Sequence, residues 1–206
     1  MIGVTGGIAT GKSAVTRMLA NRGAVTFSAD EAARAVLTPR SKVLAAVAAE
    51  FGPEAIAADG SLDREAVGER IFADAASRER LNRITHPAIL RLLRAQIEGA
   101  QYDLAPGTMV AVEVPLLYEA NLSDWFELIV VVAASEPTQI ARLMARGAPD
   151  EAQARRRLQA QLPIREKVRL ADYVIWNDGS PDDLDTAVTR LWDELLRTGP
   201  PPGPIP

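Results

Sequence analysis

The 206-residue sequence predicts an α/β fold in which a parallel five-stranded sheet is flanked by helices. Five short apolar runs predict strands, and most of them are separated by segments whose apolar residues recur at helical spacing. The run at residues 127–134 (ELIVVVAA) is almost continuously apolar. Such a run is typical of a strand that is buried on both faces of a parallel sheet.

The N-terminal segment predicts a strand–helix–strand unit. Residues 1–5 (MIGVT) and 24–28 (AVTFS) are short apolar runs, and Val15 and Leu19 share one face of a helix predicted at residues 11–22. Strands that are connected through a helix run parallel, because a tight turn joins only antiparallel strands. This unit therefore predicts the direction of the strands in the sheet.

A nearly all-helical segment follows the second strand. A helix predicted at residues 30–37 ends before Pro39, which cannot continue it. From there to about residue 100, apolar residues recur at helical spacing, for example at Val47 and Phe51. We expect residues 38–107 to form a helical domain that is inserted between the second and third strands.

The C-terminal half returns to alternating strands and helices. Strands are predicted at residues 108–115 (TMVAVEVP) and 172–176 (DYVIW). The helices of this half are predicted at residues 137–146, 150–170 with a break near Pro163, and 182–197. The tail TGPPPGPIP, residues 198–206, is predicted to be disordered because its prolines disfavour both helix and sheet.

Composition excludes several classes of function. The chain contains no cysteine, which excludes disulfides, thiolate metal sites and cysteine nucleophiles. Its 23 basic and 27 acidic residues give a net charge of −4, so bulk charge gives no support to a nucleic-acid partner. No apolar run reaches the ~18 residues that a membrane span needs, and the first residues lack the basic region of a signal peptide. We therefore expect a cytoplasmic protein without a membrane or nucleic-acid partner.

The glycine-rich run GVTGGIATGKS, residues 3–13, contains the phosphate-binding pattern G-x-x-x-x-G-K-[ST]. In such a P-loop, glycines let successive backbone N–H groups point at phosphate oxygens, and the N-terminus of the next helix favours negative charge. Lys12 is expected to reach the β- and γ-phosphates, and the Ser13 hydroxyl to bind Mg²⁺. The motif predicts a P-loop NTPase-type sheet whose nucleotide is held by Gly6, Gly7, Ile8, Ala9, Thr10, Gly11, Lys12 and Ser13.

Asp30 lies just after the second predicted strand. Ligands gather at the carboxyl ends of parallel strands, and a carboxylate there can accept the proton of an attacking hydroxyl. Alternatively, Asp30 only caps the helix that follows it. Arg34, one turn later, binds a substrate phosphate or pairs with Asp30. The residues by themselves leave both alternatives open.

Arginines are frequent between Arg142 and Arg169, where we expect a lid. Arg142 and Arg146 lie one turn apart on a predicted helix, and guanidinium groups match the charge of a transferring phosphoryl group. A closed lid also excludes water. For Arg155 and Arg156 we favour a solvated helix face. The predicted domains are a core of residues 1–37 and 108–197, a lid of residues 140–170 within it, and the helical insertion of residues 38–107.

A GTPase-type switch is an alternative from a different class. Guanine recognition by N-K-x-D is missing, because no asparagine of the chain is followed by lysine, and there is no D-x-x-G sequence. A switch also has no use for an acceptor-binding insertion. The sequence therefore favours a kinase that acts on a small molecule.

Eight runs of the sequence support a more specific interpretation. They are TGGIATGKS (5–13), ADEAAR (29–34), DGSLDREAVGERIF (59–72), LNRITHP (81–87), VPLLYE (114–119), ARLMARG (141–147), RLQAQ (157–161) and KVRLADYVIWNDG (167–179). In this order and spacing the chain resembles the dephospho-CoA kinase family along nearly its whole length. The resemblance implies transfer of the ATP γ-phosphate to the ribose 3′-hydroxyl of dephospho-CoA with Mg²⁺, a helical CoA-binding domain and an arginine-bearing lid. Another P-loop kinase, such as one for nucleoside monophosphates, is the alternative.

The resemblance also implies roles for individual residues. Asp30 becomes the base or the residue that orients the hydroxyl, and Asn177 contacts the adenine of ATP. The implied catalytic residues are Asp30, Lys12, Arg142 and Arg146. The implied acceptor-binding residues are Asp30, Arg34, His86, Pro115 and Leu116.

Four positions carry an alternative or depart from the family pattern. Glu113 either holds a Mg²⁺-bound water or pairs with a basic residue. His86, the only histidine, precedes Pro87 at an expected helix start, where a polar side chain often caps the backbone, so we favour a structural or substrate-positioning role over a catalytic one. Ala9 stands where the family often has glycine, and Ser28 where it often has an acidic residue.

Overall fold

The computed structural model describes residues 1–102, 104–148 and 150–198. Within these ranges the chain divides into two compact units. The first combines Met1–Phe27 with the described part of Leu104–Pro206, and the second is the described part of Ser28–Asp103. The predicted disordered tail lies outside the described residues from position 199 onward.

The first unit is built on a five-stranded sheet. Its strands are β1 (Ile2–Gly6), β2 (Val25–Ser28), β3 (Val110–Glu113), β4 (Leu128–Ala133) and β5 (Tyr173–Trp176). They lie in the order β2-β3-β1-β4-β5, and the pairs β1–β3, β1–β4 and β4–β5 are parallel. Gly3 of β1 pairs with Val112 on one side and Ile129 on the other. The predicted parallel five-stranded sheet is thus confirmed.

Helices flank this sheet and also build the second unit. Their bounds are α1 (Lys12–Asn21), α2 (Ala29–Val36), α3 (Lys42–Phe51), α4 (Arg64–Ala73), α5 (Ala75–Gln101), α6 (Glu136–Ala145), α7 (Glu151–Gln159), α8 (Ile164–Arg169) and α9 (Pro181–Thr198). Val15 and Leu19 of α1 are buried in one apolar cluster with Val4 of β1 and with Val188 and Leu191 of α9. Burial of these side chains is the main favourable contribution to this packing.

The carboxyl ends of the strands bring distant parts of the chain to one edge of the sheet. β1 ends at Gly6 and β3 ends at Glu113, while Asn177 directly follows β5. Because the strands are parallel, these three positions lie at the edge where ligands bind in open α/β sheets. The glycine-rich loop begins at this edge.

The second unit consists of α2, α3, α4 and α5. Each helix begins at a side chain that accepts hydrogen bonds from backbone N–H groups of the first turn; these caps are Ser28, Ser41, Asp63 and Asp74. Such caps satisfy donors that have no partner within the helix. Val47, Phe51, Ala55 and Val67 form a buried apolar cluster in this unit. The unit begins at Ser28 rather than at the predicted boundary near residue 38, because α2 packs against α5.

The interpretation of Asp30 as a helix cap is wrong. Ser28 caps α2, and its hydroxyl accepts a hydrogen bond from the N–H of Glu31 at 3.4 Å. Asp30 lies inside the first turn of the helix, where a carboxylate interacts favourably with the helix dipole. Ser28, which stands where the family often has an acidic residue, thus has a structural role of its own.

The expected helix start at His86 and Pro87 is also wrong. Pro87 lies inside α5, which begins at Ala75 and continues through it. Asp74 starts this helix by accepting hydrogen bonds from two backbone N–H groups, and the proline removes only one donor from the interior.

Within the described ranges, no helix has the length and apolar character that crossing a bilayer requires.

Candidate active site

The glycine-rich loop leaves β1 at Gly6 and enters α1 after Gly11. Their φ angles are 149° and 96°, in the region that favours glycine. A Cβ at Gly6 would lie 2.1 Å from the carbonyl oxygen of Val132, and one at Gly11 would lie 2.2 Å from the side-chain nitrogen of Asn177. Both glycines of the motif are therefore required by backbone conformation and by the close approach of neighbouring groups.

Ala9 adopts a left-handed conformation with a φ of 60°, which costs an alanine roughly 1–2 kcal/mol. Its methyl group belongs to a buried apolar cluster with Ile140, Leu143, Ala148 and Ala154. Burial of the methyl group offsets part of the strain. An alanine at this position therefore links the loop to α6 and α7.

Lys12 folds back onto the loop and is 8% exposed. Its Nζ donates a 2.8 Å hydrogen bond to the carbonyl oxygen of Gly7. The Thr10 hydroxyl donates to the same oxygen at 2.9 Å. The positive charge of Lys12 is thus held against the loop backbone.

The Ser13 hydroxyl donates a 2.8 Å hydrogen bond to Oε1 of Glu113. Glu113 is 6% exposed and pairs in the sheet with Val4. Mg²⁺ prefers oxygen ligands and usually keeps several waters and substrate phosphates beside one or two protein groups. Over the described part of the chain, no group of three His, Cys, Asp or Glu side chains is arranged to hold a metal. The hydroxyl and carboxylate of this pair nevertheless fit Mg²⁺.

Asn177 and Arg142, which were predicted for the site, donate hydrogen bonds to carbonyl oxygens of the loop, whereas Arg146 points to solvent. Asn177 is 7% exposed, and its Nδ2 donates a 2.8 Å hydrogen bond to the carbonyl oxygen of Thr10. Arg142 of α6 donates from Nη1 to the carbonyl oxygen of Ala9 at 3.4 Å. Arg146 is the C-cap of α6, and its side chain is exposed.

Two glutamines that were not predicted hold both backbone groups of Ile8. Gln139 of α6 is 2% exposed, and its Nε2 donates to the Ile8 carbonyl oxygen at 2.7 Å. Oε1 of Gln161, in the turn after α7, accepts a 2.8 Å hydrogen bond from the Ile8 N–H. Gln161 ends the run RLQAQ that supports the family resemblance, which was the available sequence signal.

A buried lysine anchors the segment that follows β3. Lys167 of α8 is fully buried, and its Nζ donates to the Pro115 carbonyl oxygen at 3.0 Å and pairs with Glu119 at 2.9 Å. Burial lowers the pKa of Lys167, and the hydrogen bond and charge of Glu119 act in the opposite direction. Glu119 also accepts a 2.9 Å hydrogen bond from the Leu162 N–H. This network fixes Pro115 and the turn that contains Gln161.

The remaining predicted residues lie in both units. Asp30 and Arg34 are exposed on α2, and His86 is partly buried on α5; all three belong to the second unit. Burial lowers the pKa of His86. Pro115 and Leu116 are partly buried in the first unit.

Comparisons with known proteins identify relatives over the whole site. A family model described as dephospho-CoA kinase matches residues 1–183. A dephospho-CoA kinase of Thermobifida fusca is 41% identical over 197 residues, which cover 95% of this chain and 96% of the relative. One of Anaeromyxobacter dehalogenans is 43% identical over 195 residues, covering 95% of this chain and 92% of the relative.

Solved structures share the fold. A protein from Thermus thermophilus aligns with a TM-score of 0.74 and 30% identity, covering 94% of this chain and 96% of that one. A dephospho-CoA kinase from Campylobacter jejuni aligns with a TM-score of 0.67 over 96% and 97% of the two chains, and its 24% identity supports the fold alone. On the family model and the curated relatives, this chain belongs to the dephospho-CoA kinase family.

Proposed function

We propose that this chain transfers the γ-phosphate of ATP to the 3′-hydroxyl of the ribose of dephospho-CoA. The observation that carries the proposal is the P-loop at the carboxyl end of β1, with Lys12 against it and the Ser13–Glu113 pair beside it. Membership of the dephospho-CoA kinase family supports this acceptor over other small molecules. The predicted cytoplasmic location stays a prediction.

The loop binds the phosphates of ATP. Its backbone N–H groups and the N-terminus of α1 favour negative charge. Lys12 exchanges the carbonyl oxygen of Gly7 for phosphate oxygens, since its Nζ already lies on the loop. This places a positive charge where charge develops during phosphoryl transfer.

Ser13 and Glu113 would hold Mg²⁺, the Ser13 hydroxyl directly and the Glu113 carboxylate through a bound water. When bound, Mg²⁺ neutralises phosphate charge and orients the phosphates. Asn177 keeps the Thr10 carbonyl in place. Its predicted contact with adenine is a second role for the same side chain.

The acceptor hydroxyl attacks the γ-phosphorus, the bond between that phosphorus and the bridging oxygen of ADP breaks, and the hydroxyl proton passes to Asp30. The position of Asp30, two residues after the carboxyl end of β2, supports this role, because ligands of parallel sheets bind at the carboxyl ends of the strands. Arg34, His86, Pro115 and Leu116 bind the acceptor. Arg142 and Arg146 stabilise the transferring phosphoryl group, and the lid excludes water from it.

An assay of ADP release tests the proposal. The purified chain is incubated with ATP and Mg²⁺ and with dephospho-CoA, AMP, adenosine or no acceptor. We expect ADP release with dephospho-CoA alone and a product that is phosphorylated at the 3′-position. Equal ADP release without an acceptor would refute the kinase function, and release with AMP would indicate a nucleoside monophosphate kinase.

A further inference from the structure

Ile8 belongs to two consecutive peptide groups of the P-loop. The first is hydrogen-bonded at both its carbonyl and its N–H, and the second at its carbonyl. The Gly7–Ile8 peptide accepts a hydrogen bond from Lys12 at its carbonyl and donates one to Gln161 from its N–H, both at 2.8 Å. The Ile8–Ala9 peptide accepts a 2.7 Å hydrogen bond from Gln139 at its carbonyl. The two glutamines therefore fix the orientation of these peptide planes.

Peptide planarity links these contacts to the phosphate-binding donors. In a trans peptide the C=O and the following N–H point in opposite directions. By holding the Ile8 carbonyl, Gln139 thus directs the N–H of Ala9 away from α6. By holding the Ile8 N–H, Gln161 turns the carbonyl of Gly7 toward Lys12, so the ammonium of Lys12 is kept on the loop until it exchanges that carbonyl for phosphate oxygens. Backbone donors that are oriented before the reaction need no rearrangement while charge develops.

In the sequence, one glutamine precedes α7, the central helix of the predicted lid, and the other follows it. Gln139 belongs to α6, and Gln161 lies in the turn between α7 and α8. Glu119 and Lys167 fix this turn at Leu162, the residue next to Gln161. A cavity of about 860 Å³ beside the loop is lined by both glutamines and by Gly7 and Leu162.

We propose that Gln139 and Gln161 are positioning residues, which couple the lid to the P-loop through the Ile8 peptides. The inference rests on the proposed kinase function, because it assigns the glutamines to phosphoryl transfer. They act through the loop backbone and do not contact the substrates. Ala9 of the loop lies in one buried apolar cluster with Leu143 of α6 and Ala154 of α7, and this cluster also joins the P-loop to the predicted lid.

The two glutamines use opposite hydrogen-bonding groups, and this difference provides the test. Gln161 accepts a hydrogen bond, so the carboxylate of Gln161→Glu keeps it, whereas Gln161→Leu removes it. Gln139 donates, so the ionised carboxylate of Gln139→Glu cannot replace it. A role limited to filling space would not distinguish leucine from glutamate in this way.

Steady-state kinetics with ATP and dephospho-CoA are measured for the parent chain and the three variants. We expect Gln161→Leu and Gln139→Glu to lower kcat at least tenfold, with little change in KM for dephospho-CoA. Gln161→Glu should keep kcat within threefold of the parent, with a raised KM for ATP because of its added charge. Gln159→Leu is the matched control, since that side chain is exposed two residues earlier. A kcat within threefold of the parent for Gln161→Leu would overturn the proposal, as would equal losses for Gln161→Leu and Gln161→Glu.

Amide hydrogen exchange of the loop peptide provides a readout that does not depend on activity. Without substrates, exchange of the Ile8 N–H should be at least tenfold faster in Gln161→Leu than in the parent or in Gln161→Glu. Equal exchange in all three would overturn the proposal even if Gln161→Leu were too unstable for kinetics. If the parent chain did not phosphorylate dephospho-CoA, the proposed function would fail, and the exchange comparison would still decide whether Gln161 holds the loop.

Discussion

Ser13 and Glu113 are 100 positions apart in the sequence, and their side chains are joined by a 2.8 Å hydrogen bond. The contact arises because β1 and β3 are neighbours in the sheet and end at the same edge. The loop after β1 carries the hydroxyl, and the end of β3 carries the carboxylate. This pair is the part of the proposed site that fits Mg²⁺.

Glu113→Gln should weaken the response of the enzyme to Mg²⁺. The amide keeps the shape of the side chain but removes the charge that attracts the metal, and loss of such an outer ligand typically costs about 10- to 100-fold in metal affinity. We expect the Mg²⁺ concentration for half-maximal rate to rise about tenfold. It is measured by titrating Mg²⁺ at fixed ATP, with exposed Glu136→Gln as the control.

A double-mutant cycle tests whether Ser13 and Glu113 act together. Two residues that share one ligand show non-additive effects. The combined Ser13→Ala and Glu113→Gln variant should therefore lose less than the sum of the two single losses. Fully additive losses would show that the hydrogen bond between these side chains does not reflect a shared metal site.

Asp30→Asn should retain ATP binding and lose most of the turnover. Asparagine cannot accept the proton of the acceptor hydroxyl, and loss of a general base typically costs about 10²–10⁴-fold. We expect kcat to fall at least 100-fold, while the Kd for ATP, measured by calorimetry, stays within threefold. Lys12→Ala should impair both quantities. Turnover like that of the parent, or like that of the neighbouring Glu31→Gln control, would remove Asp30 from the catalytic mechanism.

Arg142→Ala should lower turnover more than it weakens acceptor binding. The guanidinium lies 3.4 Å from the Ala9 carbonyl, so it can move from the loop backbone to a phosphoryl oxygen. Loss of one charged hydrogen bond corresponds to about 10- to 100-fold in kcat. Arg156→Ala is the matched control, because Arg156 is exposed on α7. Equal kcat in both variants would exclude Arg142 from phosphoryl transfer and leave it only the contact with the Ala9 carbonyl.

The strands, the P-loop and the helical segment were accessible from the sequence because each depends on residues that are close together in the chain. The roles of Gln139 and Gln161 depend on contacts across 131 and 153 positions. A glutamine in a polar helix, such as Gln139, or in a turn, such as Gln161, has no local pattern that separates such a contact from solvation. The path of α5 through Pro87 differs from the prediction for another reason: α5 packs against α2, α3 and α4, and this tertiary packing outweighs the local effect of the proline.

Glu119→Ala should destabilise the first unit, because it leaves the charge of Lys167 buried without its partner. Removal of one member of a buried ion pair costs roughly 3–5 kcal/mol, whereas apolar replacement of both is often neutral. Glu119 is 24% exposed, so we expect the lower end of this range in urea unfolding. The Glu119→Leu and Lys167→Met double variant should recover most of the loss. No recovery would show that the hydrogen bonds to Pro115 and Leu162 matter more than the charges.

His86→Gln should reduce the loss of stability at acid pH. Burial lowers the pKa of His86 from its ordinary value of 6.5, so the unfolded chain binds a proton more tightly than the folded chain does. The free energy of unfolding therefore falls as the pH drops below about 6.5, by up to about 1.4 kcal/mol for each unit between the two pKa values. Glutamine does not titrate, so the variant lacks this contribution, and carboxylates contribute equally to both proteins. Urea unfolding of both proteins at pH 5, 6 and 7 measures the difference; parallel curves would show that His86 has the same proton affinity in the folded and unfolded states.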